Sequence, residues 1–307
     1  MDQMMNAKEV AAYLGIHEKK VYYLAKAGRI PCTRVTGKWI FPRTLIDQWI
    51  EESARRPTRR RMQEERPFLL AAGSDDPSLS ILRELHARRL TPTSLFFATV
   101  GSSAGLAAIR DGVADLALVH LLDPITGEYN LPFVSETVPS RSAVVPLFYR
   151  ELGLVVRPVN PLGIRTVADL ARSGLRIINR QKGSGTRLYL DQQLARLSIE
   201  PRQINGYQDA VATHLEVGLK VLRGEADAGV ATRAAARLIG LDFVPLTRER
   251  FDVVIVQERF FSRGVQALIE IVSSREFRTR VESLRGYDTS ESGRILATDL
   301  GPRKDIS

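Results

Sequence analysis

The sequence predicts an α/β protein made of a small N-terminal winged helix-turn-helix followed by a larger unit built on a mostly parallel sheet. Three observations carry that expectation. Apolar residues repeat at helical spacing through the first fifth of the chain. From Phe68 onward, short apolar runs alternate with amphipathic stretches. Glycines and small polar residues then collect at the ends of three of those runs.

A length of 307 residues favours two domains, and 44% apolar with 26% charged residues leaves ample material for buried cores. No apolar run approaches the roughly 20 residues that cross a bilayer, so no membrane partner is expected. Lys8 and Glu9 stand where a secretory signal would need its apolar stretch, and a cytoplasmic location is expected. The single Cys32 excludes an internal disulfide and a multi-cysteine metal site. The four histidines show no zinc spacing, so neither a metal nor another cofactor is expected. The net charge of +9 is uneven. Residues 1–66 hold 14 Lys and Arg against 8 Asp and Glu, a net of +6, which leaves 30 against 27, or +3, for residues 67–307. This asymmetry points to a polyanion as partner of the N-terminal segment.

In the N-terminal segment, Asn6 is the expected cap of a first helix, with Glu9 three residues on and Val10, Ala11 and Leu14 on one face; Gly15 ends it. A second helix over Glu18 to Ala27 turns Val21, Leu24 and Ala25 inward, and Gly28 closes it. Arg34 to Phe41 alternates around a Thr36-Gly37 turn and reads as a hairpin wing. Pro42 is expected to start a third helix with Leu45, Ile46, Trp49 and Ile50 as its packing stripe. One of the adjacent Tyr22 and Tyr23 is expected to be packed and the other exposed.

The stretches AKEVAAYLGI, VYYLAKAGRIP and GKWIFPRTLIDQWI, together residues 4–52, resemble the winged helix-turn-helix of the excisionase and MerR-like DNA-binding families. The resemblance implies a double-stranded DNA partner, with the second helix in the major groove and the wing on the backbone. On that mapping Lys19, Lys20, Tyr23 and Lys26 face bases or phosphates, and Arg34 and Lys38 flank the wing tip. Solvation alone is the other account of the three lysines. Residues 53–66 form a linker with five arginines in seven positions, either a spacer or a source of salt-dependent phosphate attraction.

In the larger unit, Phe68–Ala72 reads as a buried strand leading to Gly73-Ser74-Asp75-Asp76-Pro77, where Asp76 is expected to cap a helix that begins at Pro77. A second strand, Ser94 to Val100, precedes Gly101-Ser102-Ser103-Ala104-Gly105. A third, from Ile177, precedes Lys182-Gly183-Ser184-Gly185-Thr186-Arg187. An internal echo relates Gly105–Asp115 to Gly218–Asp227, each a helix, a glycine break and then a strand after Ala-Asp. It sets Ala212-Thr213-His214 opposite the Ser102-Ser103 turn, so four loops are expected to converge on one cleft. Glycines let a ligand approach backbone closely, and free N–H groups at helix starts attract negative charge.

The stretches GSDDPSL, GSSAGLAAIRDGVADLALVHLLDPITGEYN, LGLVVRPVNP, INRQKGSGTR and GEADAGVA make roughly residues 67–300 of the expected ligand-sensing domain, 67–307, similar to the type II periplasmic-binding-protein-like fold, in the cytoplasmic version related to molybdate and tungstate binding proteins. The resemblance implies two lobes with mixed sheets that close on ligand by a hinge. The chain is then expected to cross between lobes at Leu152–Val156 and Phe251–Val256. Lobe 1 would hold about 67–152 and 256–307, and lobe 2 about 153–255.

For a tetrahedral oxyanion such a cleft needs hydroxyls, N–H groups at helix starts and one arginine. Ser74, Ser102, Ser103, Ser184, Gly185, Thr186 and Thr213 are the candidates of the first kind, and helix capping is the competing role of each hydroxyl. Arg180 is the candidate cation, because Arg187 is placed to pair with Asp191 along a helix; His214 is either a ligand contact or a packed lip residue. Asp75 resists the anion reading and keeps a zwitterionic or cationic organic ligand as an alternative. No catalytic constellation is found: GSGTR lacks the lysine of a Walker A loop, and Asp115 and Asp227 are repeat-equivalent turn residues. The expected function is a transcription regulator responsive to molybdate or tungstate, acting as a homodimer because palindromic half-sites reward symmetry. The alternatives are an excisionase-like architectural protein, a sensor of an organic metabolite, or an anion carrier.

Overall fold

Asn6 opens the first helix in the computed structural model of the chain, which describes residues 4–26, 30–35, 37–55, 67–89, 93–138 and 141–296. Its side chain accepts the Lys8 and Glu9 amides while Glu9 reaches back to the Asn6 N–H, completing the capping box that the sequence suggests. Helix α1 (Ala7–Leu14) ends at Gly15 in the left-handed region, φ 66°, as a helix C-terminus favours. Helix α2 is Glu18–Lys26, and a short β1 (Met4–Met5) joins β2 (Thr33–Val35) and β3 (Lys38–Pro42) in the sheet order β1-β3-β2. The core gathers Val10, Val21, Ala25, Phe41 and Ile46. Gly28, Thr36 and most of the linker arginines lie outside the described residues.

Three expectations change in this unit. Pro42 ends β3, paired with Met4, and helix α3 starts one residue later as Arg43–Arg55. Leu45 is 44% exposed, because Ile46 and Ile50 already fill the inward face at i and i+4. Tyr22 and Tyr23 are both exposed, at 41% and 56%, since Val21 and Ala25 supply the inner stripe of α2.

The two compact units of the chain are Met1–Glu65 and Arg66–Ser307. The second is organised by one nine-stranded mixed sheet, ordered β5-β4-β6-β11-β7-β10-β8-β9, with β12 (Tyr287–Asp288) also on β7. One flank holds parallel strands β4 (Phe68–Gly73), β5 (Ser94–Thr99) and β6 (Leu116–Val119). The other holds β8 (Ile177–Arg180), β9 (Ala210–Val211) and β10 (Ala228–Thr232), also parallel. Between them run β7 (Ser142–Val156) and β11 (Asp242–Val256), antiparallel over their whole 15-residue lengths. At roughly 3.3 Å per residue each is about 50 Å long, enough to pass through both lobes.

Core membership locates the lobes. Val145, Leu147, Phe148, Phe251, Val253 and Ile255 pack in the first lobe, whereas Leu152, Leu154 and Val156 pack in the second with Val244 and Leu246. The strands therefore change lobes near residues 149–151 and 247–250. This moves the lobe borders from those expected: Phe251–Ile255 belongs to lobe 1. The cause is the antiparallel register, which sets Phe251 opposite Phe148. Register shifts at Pro245/Thr247 and Phe251/Asp252 flank the crossing, where an irregular strand bends most readily.

Helix α4 is Leu79–Arg88, two residues later than expected, because Asp76 makes a turn that accepts the Ser78 N–H at 2.8 Å. Helix α5 (Ser102–Arg110) lies between β5 and β6, followed by α6 (Leu131–Thr137). In lobe 2, α7 (Gly185–Arg196) follows β8, α8 (His214–Leu222) follows β9, and α9 (Arg233–Leu238) follows β10. The chain returns to lobe 1 as α10 (Gln257–Phe260), α11 (Arg263–Ser273) and α12 (Arg275–Ser283).

The internal echo holds in detail. Asp115 exchanges bonds with Leu70 on β4, its N–H to the carbonyl and its carboxylate from the amide, each 2.9 Å. Asp227 does the same with Arg176 beside β8, at 2.7 and 2.9 Å. Both aspartates thus tie a helix-to-strand turn to the neighbouring strand.

Candidate ligand-binding site

The loops after β4, β5 and β6 in lobe 1 face the starts of α7 and α8 in lobe 2. The lobes touch directly: Ser103 N–H donates to the Gly183 carbonyl at 3.3 Å, and His214 N–H to Asp75 Oδ2 at 3.3 Å. Gly185 is seated against His120, where a Cβ would come within 2.3 Å of the His120 carbonyl.

On the lobe 1 side most polar groups are bonded to one another, while His120 Nε2 has no partner. Ser74 and Ser102 hydroxyls lie 2.7 Å apart, and Ser102 Oγ also accepts the His120 N–H at 3.2 Å. Beneath them is a buried charged network at the hinge. Arg150 on β7 donates to Asp76 at 2.6 Å and to Glu249 on β11 at 2.7 Å, and lies 4.5 Å from the Phe251 ring centroid. Burial alone would lower the Arg150 pKa, but Glu249 and Asp76 together raise it. Burial would raise that of Glu249, but adjoining His120 and Arg150 hold it down to about 2. His120 Nδ1 meets Glu249 at 3.0 Å, while burial pushes the imidazole pKa below its usual value. Arg150 suffices to keep the Glu249 carboxylate ionised.

The lobe 2 side differs. Arg180, at the end of β8 and 1% exposed, donates from Nη2 to the Ala212 carbonyl at 2.7 Å, while Nε and Nη1 have no protein partner. Desolvation lowers its pKa to about 10, opposed by the charge of Asp75. Thr186 Oγ1 and both ring nitrogens of His214 are also buried without a partner. Burial, with Arg180 and Arg150 nearby, keeps the His214 pKa well below its usual value, so the ring is neutral. Asp75 is half-buried; desolvation and Asp76 raise its pKa against the pull of Arg180 and the His214 N–H.

Other candidates are committed elsewhere. Ser184 caps α7, accepting the Arg187 N–H and donating to the Gln181 carbonyl. Thr213 caps α8, with its hydroxyl on Glu216 at 3.0 Å. Ser103 is exposed. Arg187 pairs with Asp191 at 3.1 Å and stacks 3.9 Å over Tyr207. Sequence reasoning passed over His120, Arg150 and Glu249. For Arg150 and Glu249 the available signal was a short charged run in the middle of each long strand, Arg150-Glu151 and Arg248-Glu249-Arg250, where an unpaired charge is too costly to leave buried.

In the N-terminal unit Lys19, Lys20, Tyr23, Lys26, Arg34 and Lys38 are all exposed. Lys20 Nζ lies 5.0 Å from the Tyr23 ring, and Arg34 lies 5.7 Å from the Trp39 ring and donates to the Gly37 carbonyl. Among the described residues, no helix is long and apolar enough to cross a membrane.

A model of the PBP superfamily domain matches residues 83–273, and a helix-turn-helix domain model matches residues 4–54. The chain is 31% identical over 300 residues to the uncharacterized protein YvgK of Bacillus subtilis, covering 94% of this chain and 96% of that one. It is 34% identical over 110 residues to an uncharacterized protein from the 5' region of a 2Fe-2S ferredoxin gene of Clostridium pasteurianum, covering 36% of this chain and 97% of that one. Its fold is similar to a Clostridium perfringens structure named for phosphate ABC transport and holding bound phosphate: TM-score 0.54, 14% identity, 71% of this chain and 97% of that one.

Proposed function

The chain belongs to the PBP superfamily and carries a helix-turn-helix DNA-binding domain ahead of its ligand-binding domain, and from that premise we propose that it is a transcription regulator controlled by a small tetrahedral oxyanion held between the two lobes. The observation that carries this reading is Arg180, a guanidinium 1% exposed with Nε and Nη1 lacking protein acceptors beside the equally unmatched Thr186 and His214. Buried donors without acceptors are costly, and an anion that accepts from them recovers that cost. Molybdate and tungstate, implied by the sequence resemblance, and the phosphate of the Clostridium perfringens neighbour share this shape.

In this reading Arg180 and Thr186 bind the anion directly. Ser74 and Ser102 contribute hydroxyls that reorient, Gly185 permits closure, and Ser103, Ser184 and Thr213 shape the loops. Closure shifts the hinge of β7 and β11, and the ligand drives it only by binding the closed state more tightly. The DNA head uses Lys19, Lys20, Tyr23 and Lys26 on α2 and Arg34 and Lys38 on the wing, as one of two copies in a homodimer working in the cytoplasm on double-stranded DNA.

Thermal unfolding of the full chain with phosphate, molybdate, tungstate, sulfate and amino acids tests the sensor. A ligand at 100 times its Kd stabilises by about 2.7 kcal/mol, a shift that is readily measured. If no oxyanion raises the melting temperature, the reading fails. Lys20→Ala is expected to weaken DNA binding and flatten its salt dependence by about one unit of slope; unchanged affinity across salt concentrations rejects that assignment.

A further inference from the structure

We propose that His214 is a further ligand contact and the proton switch of the cleft: when an oxyanion binds between the lobes the ring takes up one proton, so that affinity rises as pH falls. The inference rests on the reading of the cleft as an oxyanion site and adds how that site responds to pH.

The placement of the ring carries it. His214 opens α8 with its side chain wholly buried, and neither ring nitrogen has a hydrogen-bond partner among the described residues. A neutral imidazole presents one N–H donor and one bare lone pair, and leaving both unmatched in the interior is costly. The other buried histidines each engage one nitrogen: His86 Nε2 meets the Gly264 carbonyl at 3.2 Å, and His120 Nδ1 meets Glu249 at 3.0 Å. The remaining unmatched atoms of the cleft are Arg180 Nε and Nη1, Thr186 Oγ1 and, from lobe 1, His120 Nε2 and Arg150 Nη2. Arg180 is tied to the Ala212 carbonyl, two residues before His214, so the ring and the free guanidinium edge share one chain segment.

The surrounding charges decide what the ring does. Those that act on it are Arg180 on β8, Arg150 on β7 and His120 after β6, with Asp75 after β4 accepting the His214 backbone N–H at 3.3 Å. Glu216, in the same first turn, is occupied by the Ala212 and Thr213 N–H groups and the Thr213 hydroxyl. Burial first, then Arg180, Arg150 and His120, all disfavour the imidazolium, as does the positive end of α8. No carboxylate bonds to the ring. An anion seated on Arg180 is therefore the first countercharge that His214 meets, and it offsets the guanidiniums at the same time. The lone pair repels that anion; a proton on it makes a second donor.

Two rivals for the proton are less suited. Asp75 is half-buried, so water screens the incoming charge, and His120 is already balanced by Glu249. With the proton held in the complex and absent from the free protein, the gain in affinity is full at low pH and is lost as pH rises through the value of the liganded ring.

Titration calorimetry of the full chain with sodium sulfate, sodium molybdate and sodium phosphate, at about pH 6 and about pH 8 and in two buffers of different ionisation heat, tests the inference. For each anion that binds, the wild type is expected to take up protons, approaching one per anion at the lower pH, with affinity rising toward about tenfold per pH unit. In His214→Gln that uptake and slope are expected to disappear, apart from the proton that phosphate itself exchanges in both proteins; His214→Asn is the second variant if the first folds poorly. Uptake that persists in the His214 variants, or that is lost in Asp75→Asn or His120→Gln instead, overturns the role of His214 and leaves the oxyanion sensor intact, and so does pH-independent binding by the wild type. If none of the three anions binds, the oxyanion reading falls and the switch with it.

Discussion

In lobe 1 most of the groups that face the cleft are already bonded, Ser74 to Ser102, Ser102 to the His120 backbone, Asp76 to Arg150 and Arg150 to Glu249, leaving His120 Nε2 and Arg150 Nη2 without hydrogen-bond partners. In lobe 2, Arg180, Thr186 and His214 keep buried polar atoms with no protein partner. Both sides descend from one helix-turn-strand pattern, visible in the matched bonds of Asp115 and Asp227. The difference therefore comes from the loops rather than the scaffold. Lobe 1 is a preorganised wall joined to the hinge, and lobe 2 holds the unmet demand that a ligand fills.

The largest effect is expected from Arg180→Met. Ligand affinity is expected to fall at least about a hundredfold, as when a buried charged contact is truncated. Stability without ligand is expected to be kept or to rise, because a guanidinium that pays for its own desolvation has gone. Calorimetry and denaturant titration of the same sample read both. A loss of stability equal to the loss of binding would mean that Arg180 is structural, and the contrast between lobes would disappear.

Next in size is Gly185→Ala. Its Cβ would approach the His120 carbonyl to 2.3 Å, which only separation of the lobes relieves. Apparent affinity falls by the fraction of molecules still able to close, and about tenfold is expected. Small-angle scattering is expected to show the expanded form persisting at saturating phosphate; normal compaction would show that closure does not pass through this contact.

The smallest effect concerns pH. His214 in lobe 2, and His120 and His86 in lobe 1, have folded pKa values lowered by burial from about 6.5. Each binds a proton more readily when unfolded, so its contribution is fully present above that value and is lost as pH falls below it. Denaturant midpoints are expected to drop between pH 7 and pH 5. His214→Gln is expected to reduce that slope more than His120→Gln does, because Glu249 offsets part of the burial at His120. Equal slopes would remove the distinction between the two sides.

Much of the fold was legible because it rests on local chemistry. Asn6 and Glu9 form their capping box from a spacing of three, Gly15 ends its helix, and the Gly-Ala-Asp echo ties two turns in the same way. Arg187 could be set apart from Arg180 by its i,i+4 partner. What escaped depended on partners distant in sequence. Pro42 is held in a strand by Met4, and Leu45 is turned outward by its helical neighbours. Asp76 bonds Arg150 and Tyr287, 74 and 211 residues away.

The sequence by itself determined the two units, their order, the basic head, the glycine-rich helix starts and the residue types gathered at the cleft, since each follows from periodicity, capping or turn chemistry within a few residues. Only the tertiary structure decided where β7 and β11 change lobes, which hydroxyls are consumed as caps, and which donors stay unmet. A hydrogen bond is a pairing of two groups, and whether Arg180 has an acceptor or Arg150 a surplus depends on strands that only the folded sheet brings side by side.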